Sequence, residues 1–201
     1  MKNSAYLLFA IFSFFTSNAY AQDTSSVITN VTRITILNPG ISYEMRAGKT
    51  STVYLHAYTT TLSSIGYSST FGWSTQFQFD PSLSLQYRFY YNIKKRQEKG
   101  KRIEKNSLNY IAPVYQMSFS KNALSDGVYV NNSSRRPINE FGVVWGMQRN
   151  YASRFSLGIN VGPGIFFGKD RIEEPTESYT VNITEFTIVA HLELAIWLGR
   201  R

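Results

Sequence analysis

The chain has 201 residues, enough for one domain. Aromatic residues make up 15 %, charged residues only 17 %, and the formal net charge is +8. Cysteine is absent, which excludes a disulfide framework and thiolate chemistry. The basic residues concentrate in one short segment, which argues against a nucleic-acid-binding face.

In chain order, the first element reads as an address. Met1, Lys2 and Asn3 precede an apolar run from Ala5 to Phe15, followed by Thr16-Ser17-Asn18-Ala19-Tyr20-Ala21. A positive start, an apolar stretch and an A-x-A ending match a secretory signal peptide. The stretch is shorter than the roughly 20 residues a transmembrane helix needs. Residues 1–21 are therefore expected to be a signal peptide cleaved after Ala21, and 22–201 a single mature domain. Losing Lys2 with it leaves a formal charge of 8 − 1 = +7. No long apolar run follows, so helices holding the mature chain in a membrane are not expected.

The rest is dominated by period-two alternation, the pattern of strands. About eight strands are predicted, near 27–37, 40–47, 51–63, 76–93, 107–121, 138–149, 153–168 and 182–199. Asn38-Pro39-Gly40, Ala47-Gly48-Lys49 and Arg149-Asn150-Tyr151 read as tight turns, although the first could instead bend one long strand. Longer connections are placed near 64–75, 94–106, 122–137 and 169–181. In the fourth strand Leu83, Leu85, Tyr87, Phe89 and Tyr91 alternate with Ser84, Gln86, Arg88 and Tyr90. In the seventh Phe155, Leu157, Ile159 and Val161 alternate with Ser156, Gly158 and Asn160. In the eighth Ile188, Leu192, Ile196 and Leu198 oppose Val189, His191, Glu193 and Trp197.

Alternation alone does not say which face is inside. The polar faces decide it, because they are built mainly from Gly, Ser, Thr, Asn and Gln. The lysines after the signal (49, 94, 95, 99, 101, 105, 121 and 169) fall in connections or at strand ends. Small uncharged polar faces suit a narrow barrel interior, and Lys-free strand bodies suit lipid, where a midplane Lys or Arg costs about 2–4 kcal/mol. The expected fold is all-β, an antiparallel up-and-down transmembrane β-barrel of about eight strands. Tyr87, Tyr90, Tyr91, Tyr110, Trp145, Tyr151 and Trp197 lie toward strand ends, as interfacial girdle residues would. Glu44, Arg46, Arg88, His191 and Glu193 are expected to form a structural charge network in the lumen, with Arg33 and Glu140 as companions.

With an even strand count both termini share one side. The turns near 47–50 and 149–152 then fall there and are short, as on the periplasmic side of outer-membrane barrels. The exception is the basic turn, Ile93 to Lys105. Its basic residues are Lys94, Lys95, Arg96, Lys99, Lys101, Arg102 and Lys105; seven basic and two acidic residues give 7 − 2 = +5. It reads either as a solvated hairpin extension or as a surface for anionic headgroups.

Gln86-Tyr87-Arg88-Phe89-Tyr90-Tyr91-Asn92, the basic turn, and Asn106-Ser107-Leu108-Asn109-Tyr110 together resemble small outer-membrane β-barrel proteins of the Bacteroidota type. Ile41-Ser42-Tyr43-Glu44 before a short Gly-Lys turn is similar to their early strand. The resemblance covers about 35 residues in motif. It implies a barrel in the cell outer membrane, exported through a Sec-type signal, with lipid and the barrel-assembly machinery as partners, and it carries no catalytic residues. The C-terminus departs from the pattern, ending Trp197-Leu198-Gly199-Arg200-Arg201 rather than on an aromatic residue.

No P-loop, dinucleotide fingerprint or metal-ligand spacing appears, and no cofactor is expected. A lipid-modifying barrel enzyme would need a serine, a histidine base and an orienting acid. Only His56 and His191 are available, neither in an H-x-S arrangement, so no enzymatic activity is expected. The expected role is structural, adhesive or narrow-transport, as a monomer. The alternatives are a secreted soluble barrel binding an apolar ligand and the lipid-modifying enzyme.

Overall fold

The computed structural model describes residues 27–68, 72–121, 135–173 and 177–199. The expected signal segment 1–21 and most of the connection near 122–137 lie outside them. Eight antiparallel strands follow one another in chain order: β1 Val31–Thr35, β2 Gly40–Arg46, β3 Ser51–Ser68, β4 Gly72–Tyr90, β5 Asn109–Ser120, β6 Arg136–Asn150, β7 Phe155–Glu173 and β8 Ser178–Leu198. Each pairs with its sequence neighbours, and β1 pairs with β8, closing the ring. Closure leaves no edge strand within the ring order.

Asn38-Pro39-Gly40 is a true turn, with Asn38 in the left-handed region at φ 56° and the Thr35 hydroxyl donating to its carbonyl (3.0 Å). Asparagine tolerates that backbone better than most residues. Two hairpins run further than the alternation suggested. β3 and β4 stay paired to Ser68↔Gly72, and β7 and β8 to Glu173↔Ser178, so most of the expected connections 64–75 and 169–181 are strand. Polar composition misled there, because the backbone pairing of a hairpin continues whether or not its side chains are apolar. β1, by contrast, meets β8 only from Thr32↔Leu198 to Thr35↔Ala195.

Coiling eight strands into a narrow tube needs places where backbones approach closely. The β6–β7 ladder lapses between Gly142↔Gly164 and Trp145↔Val161, where Pro163 has no N–H to give. A Cβ at Gly162 would stand 2.0 Å from the Val143 carbonyl oxygen, so only glycine fits. On β6, Gly146 faces Tyr110 across the strand pair, and a Cβ there would stand 2.2 Å from the phenol ring.

The two faces carry opposite chemistry. Ile41, Leu55, Leu83, Leu85, Phe89, Val143, Ile159, Leu192 and Ile196 point outward and are exposed, with Phe186 at 92 % and Ile188 at 73 %. Arg33, Glu44, Thr52, His56, Gln86, Arg88, Gln148, Asn160 and Glu193 point inward and are buried. The outward and inward sets assigned to β4, β7 and β8 from periodicity agree with this.

At the end of the barrel where β1 begins and β8 ends, here the base, the basic turn is not an open loop. It forms a short helix α1, Ile93–Glu98, and a 3-10 turn, Glu104–Asn106. Ile93 and Ile103 pack on a cluster of Ile28, Tyr90, Leu108, Tyr110, Ala112, Val114, Val144 and Val189. Asn106, at φ 62°, takes the Thr29 N–H (2.9 Å) and gives its amide N–H to the Thr29 carbonyl (2.8 Å). The turn thus folds across the base and is tied to the segment before β1.

Candidate functional site

Inward positions on all eight strands bring polar side chains into one lumen, β7 contributing Asn160. Alternation dictates this: each contributing residue has the parity opposite to its strand's apolar set. Glu44 is the hub above the base. Arg33 donates to its Oε2 (2.8 Å), Thr52 to its Oε1 (2.9 Å), Gln148 to its Oε2 (3.2 Å), and Tyr90 to its Oε1. Arg88 lies 3.8 Å from the same carboxylate. Its guanidinium stands over the Tyr54 ring (3.5 Å to the centroid) and the Tyr110 ring (4.5 Å), and donates to Gln86 (2.9 Å) and Gln148 (2.7 Å). Tyr54 donates to Glu193. Two arginines and two carboxylates balance, which is what makes ionised groups tolerable in a closed interior.

Above this layer His56 stacks on Tyr58 (centroids 4.3 Å) and meets His191 edge-on (5.7 Å). His56 Nε2 is 3.1 Å from the Thr35 hydroxyl. Ligand atoms of His56, His191 and Glu193 all lie within 4.8 Å of one another. The lumen then widens into a half-open cavity of about 360 Å³, walled by Tyr58, Thr60, Gln116, Glu140 and His191 among others. Near its far rim Arg136 pairs with Asp170 (2.8 Å), and Arg135 with Asp80.

Of the residues expected in the network, Glu44, Arg88 and Glu193 meet, with Arg33 joining as a full member. His191 sits one layer higher. Arg46 does not take part: its backbone N–H goes to Asn30 (2.8 Å) and its Nε to the Gly48 carbonyl (3.3 Å), so it fastens the β2–β3 turn. Glu140 lies in the cavity wall, accepting from Gln116 (2.5 Å). Tyr90, Tyr110 and Trp197 are not girdle residues. All three point inward and are at most 2 % exposed, with Trp197 Nε1 donating to the Tyr151 carbonyl (3.0 Å). An aromatic residue on the polar face carries its own hydrogen-bonding handle and fills a lumen.

The basic turn divides. Arg96 clamps the Arg102 carbonyl (2.8 Å), Arg102 pairs with Glu104 (2.6 Å), and the Lys105 ammonium lies 5.4 Å from the centre of the Trp197 ring. These three hold the turn's shape. Lys94, Lys95, Lys99 and Lys101 are exposed.

Tyr54 and Thr52 escaped the sequence reading, and His56 was weighed only as an enzyme base and not as a lumen residue, yet all three share a parity with Tyr58 against outward Val53, Leu55 and Ala57. Gln148 has the inward parity against Phe141, Val143, Trp145 and Met147, but Asn106 carried no local signal, because its partners are set by how the turn docks.

The arrangement defines a class: an up-and-down eight-stranded β-barrel, apolar outside, with a charge-balanced polar lumen packed at one end. None of the family models, curated proteins or solved structures compared with the chain matches it.

Proposed function

We propose that the protein is an integral outer-membrane β-barrel, exported by residues 1–21 and held in the bilayer by its strands, serving a structural or ligand-binding role at the cell envelope. The observation that carries this reading is the inverted polarity: large apolar side chains cover the outside while arginine, glutamate and histidine fill the inside. A water-facing exterior of that kind would expose far more contiguous apolar surface than soluble proteins carry. Lipid removes that cost, and in a closed ring neighbouring strands take up one another's backbone groups without water. A soluble barrel for an apolar ligand would need greasy inward faces throughout, whereas the lumen here holds Arg33, Glu44, Arg88 and Glu193, and the cavity wall mixes Thr60, Gln116, Glu140 and His191 with Ile138, Phe166 and Ala190.

The packed base favours a vessel over a conduit. Arg33, Glu44, Tyr90, Tyr110 and Trp197 are shut off from solvent, and the turn 93–106 packs on the cluster of Tyr90 and Tyr110 and reaches Trp197 through Lys105. The four exposed lysines of that turn would face the inner leaflet, where each contributes about 1 kcal/mol of attraction to anionic headgroups. Membrane fractionation tests the reading. The protein should sediment with the outer membrane, resist carbonate extraction, and migrate differently on gels before and after boiling. Recovery as a detergent-free soluble protein would refute it.

A further inference from the structure

We infer that His56, His191 and Glu193 form a binding site for a divalent transition-metal ion of the zinc type, loaded through the half-open cavity. His56 and His191 are the only histidines in the chain, and they lie 135 residues apart. The fold nevertheless brings them edge to face across the lumen, with a carboxylate two residues from one of them. Two imidazoles, one carboxylate and an open position are a ligand set that zinc accepts at exchangeable sites.

The protonation pattern is set by neighbours. Thr35 has one hydroxyl proton, and it goes to the Asn38 carbonyl. The His56 Nε2–H must then be the donor in its contact with Thr35 Oγ1. That tautomer leaves the Nδ1 lone pair for a metal and gives the ligand the hydrogen-bonded support that metal-binding histidines usually have. His191 Nε2 is buried and has no hydrogen-bond partner among the described residues. Glu193 has one oxygen engaged by Tyr54, which leaves the other to coordinate.

Bonds of about 2.0–2.1 Å bring tetrahedral zinc ligands to roughly 3.4 Å from one another. The ligand atoms of the three residues lie within 4.8 Å of one another, at most about 1.4 Å more than that spacing, and side-chain rotation is the motion required to close the difference. Arg33 and Arg88 lie within electrostatic reach of Glu193 and oppose a second cation, while Glu44 offsets one of them. Affinity is accordingly expected in the micromolar range. Imidazole ligands favour zinc, copper and nickel over magnesium and calcium. The open position faces the cavity that His191 helps to wall, so an anion or water could complete the sphere.

The inference uses only the lumen, and stands apart from where the barrel resides. Untagged, folded full-length protein in detergent is titrated with ZnCl2 by calorimetry. One saturable site is expected, with MgCl2 and CaCl2 silent. His191→Ala and His56→Ala should each weaken binding at least about tenfold. Thr35→Val, which removes only the supporting hydroxyl, should weaken it by about 10–100-fold, and Thr35→Ser should restore it. No saturable zinc binding by the parent protein, or unchanged affinity in His191→Ala, would overturn the assignment. Should the variants not refold, CoCl2 added to the parent protein decides. Intense four- or five-coordinate visible bands support the site, and the weak spectrum of six-coordinate aqueous cobalt rejects it.

Discussion

Glu44 holds more of the lumen together than any single apolar contact. Arg33, Thr52, Tyr90 and Gln148 all donate to it, and Arg88 lies within 4 Å, at 3.8 Å. Replacing it with Ala strands two guanidiniums in a sealed interior. Breaking a buried pair by removing one partner typically costs about 3–5 kcal/mol. Glu44→Ala is expected to lower the urea midpoint of the refolded protein by a corresponding amount, while the double change Glu44→Ala with Arg33→Leu recovers part of the loss. A single variant as stable as the parent would show that the pair is bystander chemistry. The identity of Glu44 as an inward charge was legible from parity alone. What was not legible is that Tyr90 and Tyr54 cap the two carboxylates, because parity gives the face a tyrosine lies on but not the partner its hydroxyl reaches across the lumen.

At the level of elements, the basic turn and the strand faces behave differently. Asn106 ties the turn to Thr29 through two hydrogen bonds. Losing buried hydrogen bonds costs about 1–3 kcal/mol where a partner is left unsatisfied. Asn106→Ala should therefore release the turn, and trypsin should cut between Lys94 and Lys105 markedly faster than in the parent. Equal cleavage rates would mean that the turn is held by Ile93 and Ile103 instead. The outward faces carry the membrane reading. Leu85 sits on the outside of β4 opposite Leu55 and Tyr115. Leu85→Arg is expected to cost about 2–4 kcal/mol in lipid vesicles if it lies near the midplane. A soluble barrel would accept that arginine without penalty, so vesicle refolding titrations discriminate. Strand phase was readable here because Leu83, Leu85 and Phe89 repeat without interruption. Strand length was not, since the alternation weakens beyond Ser63 and before Gln76 while backbone pairing continues. The helical turn over 93–98 was missed for a related reason: its charges are those of a loop, and only Ile93 and Ile103 hint at packing.

For the whole molecule, the closed base and the half-open far cavity make the barrel one-sided. Reconstituted into planar bilayers, the protein is expected to show no steady ionic conductance, since the Arg33–Glu44–Arg88 layer and the turn leave no continuous aqueous column. Stable ohmic steps would contradict this packing. The ring has one further asymmetry. β1 is 5 residues long, β8 is 21, and their shared register ends at Thr35↔Ala195, with one more bond from the Ile36 N–H to the Leu194 carbonyl (2.7 Å). Every other join is longer. A hoop fastened by so short a buckle parts at the buckle: amide deuterium uptake should begin at Ile34 and Ile196, and the β7–β8 ribbon should be the last to yield.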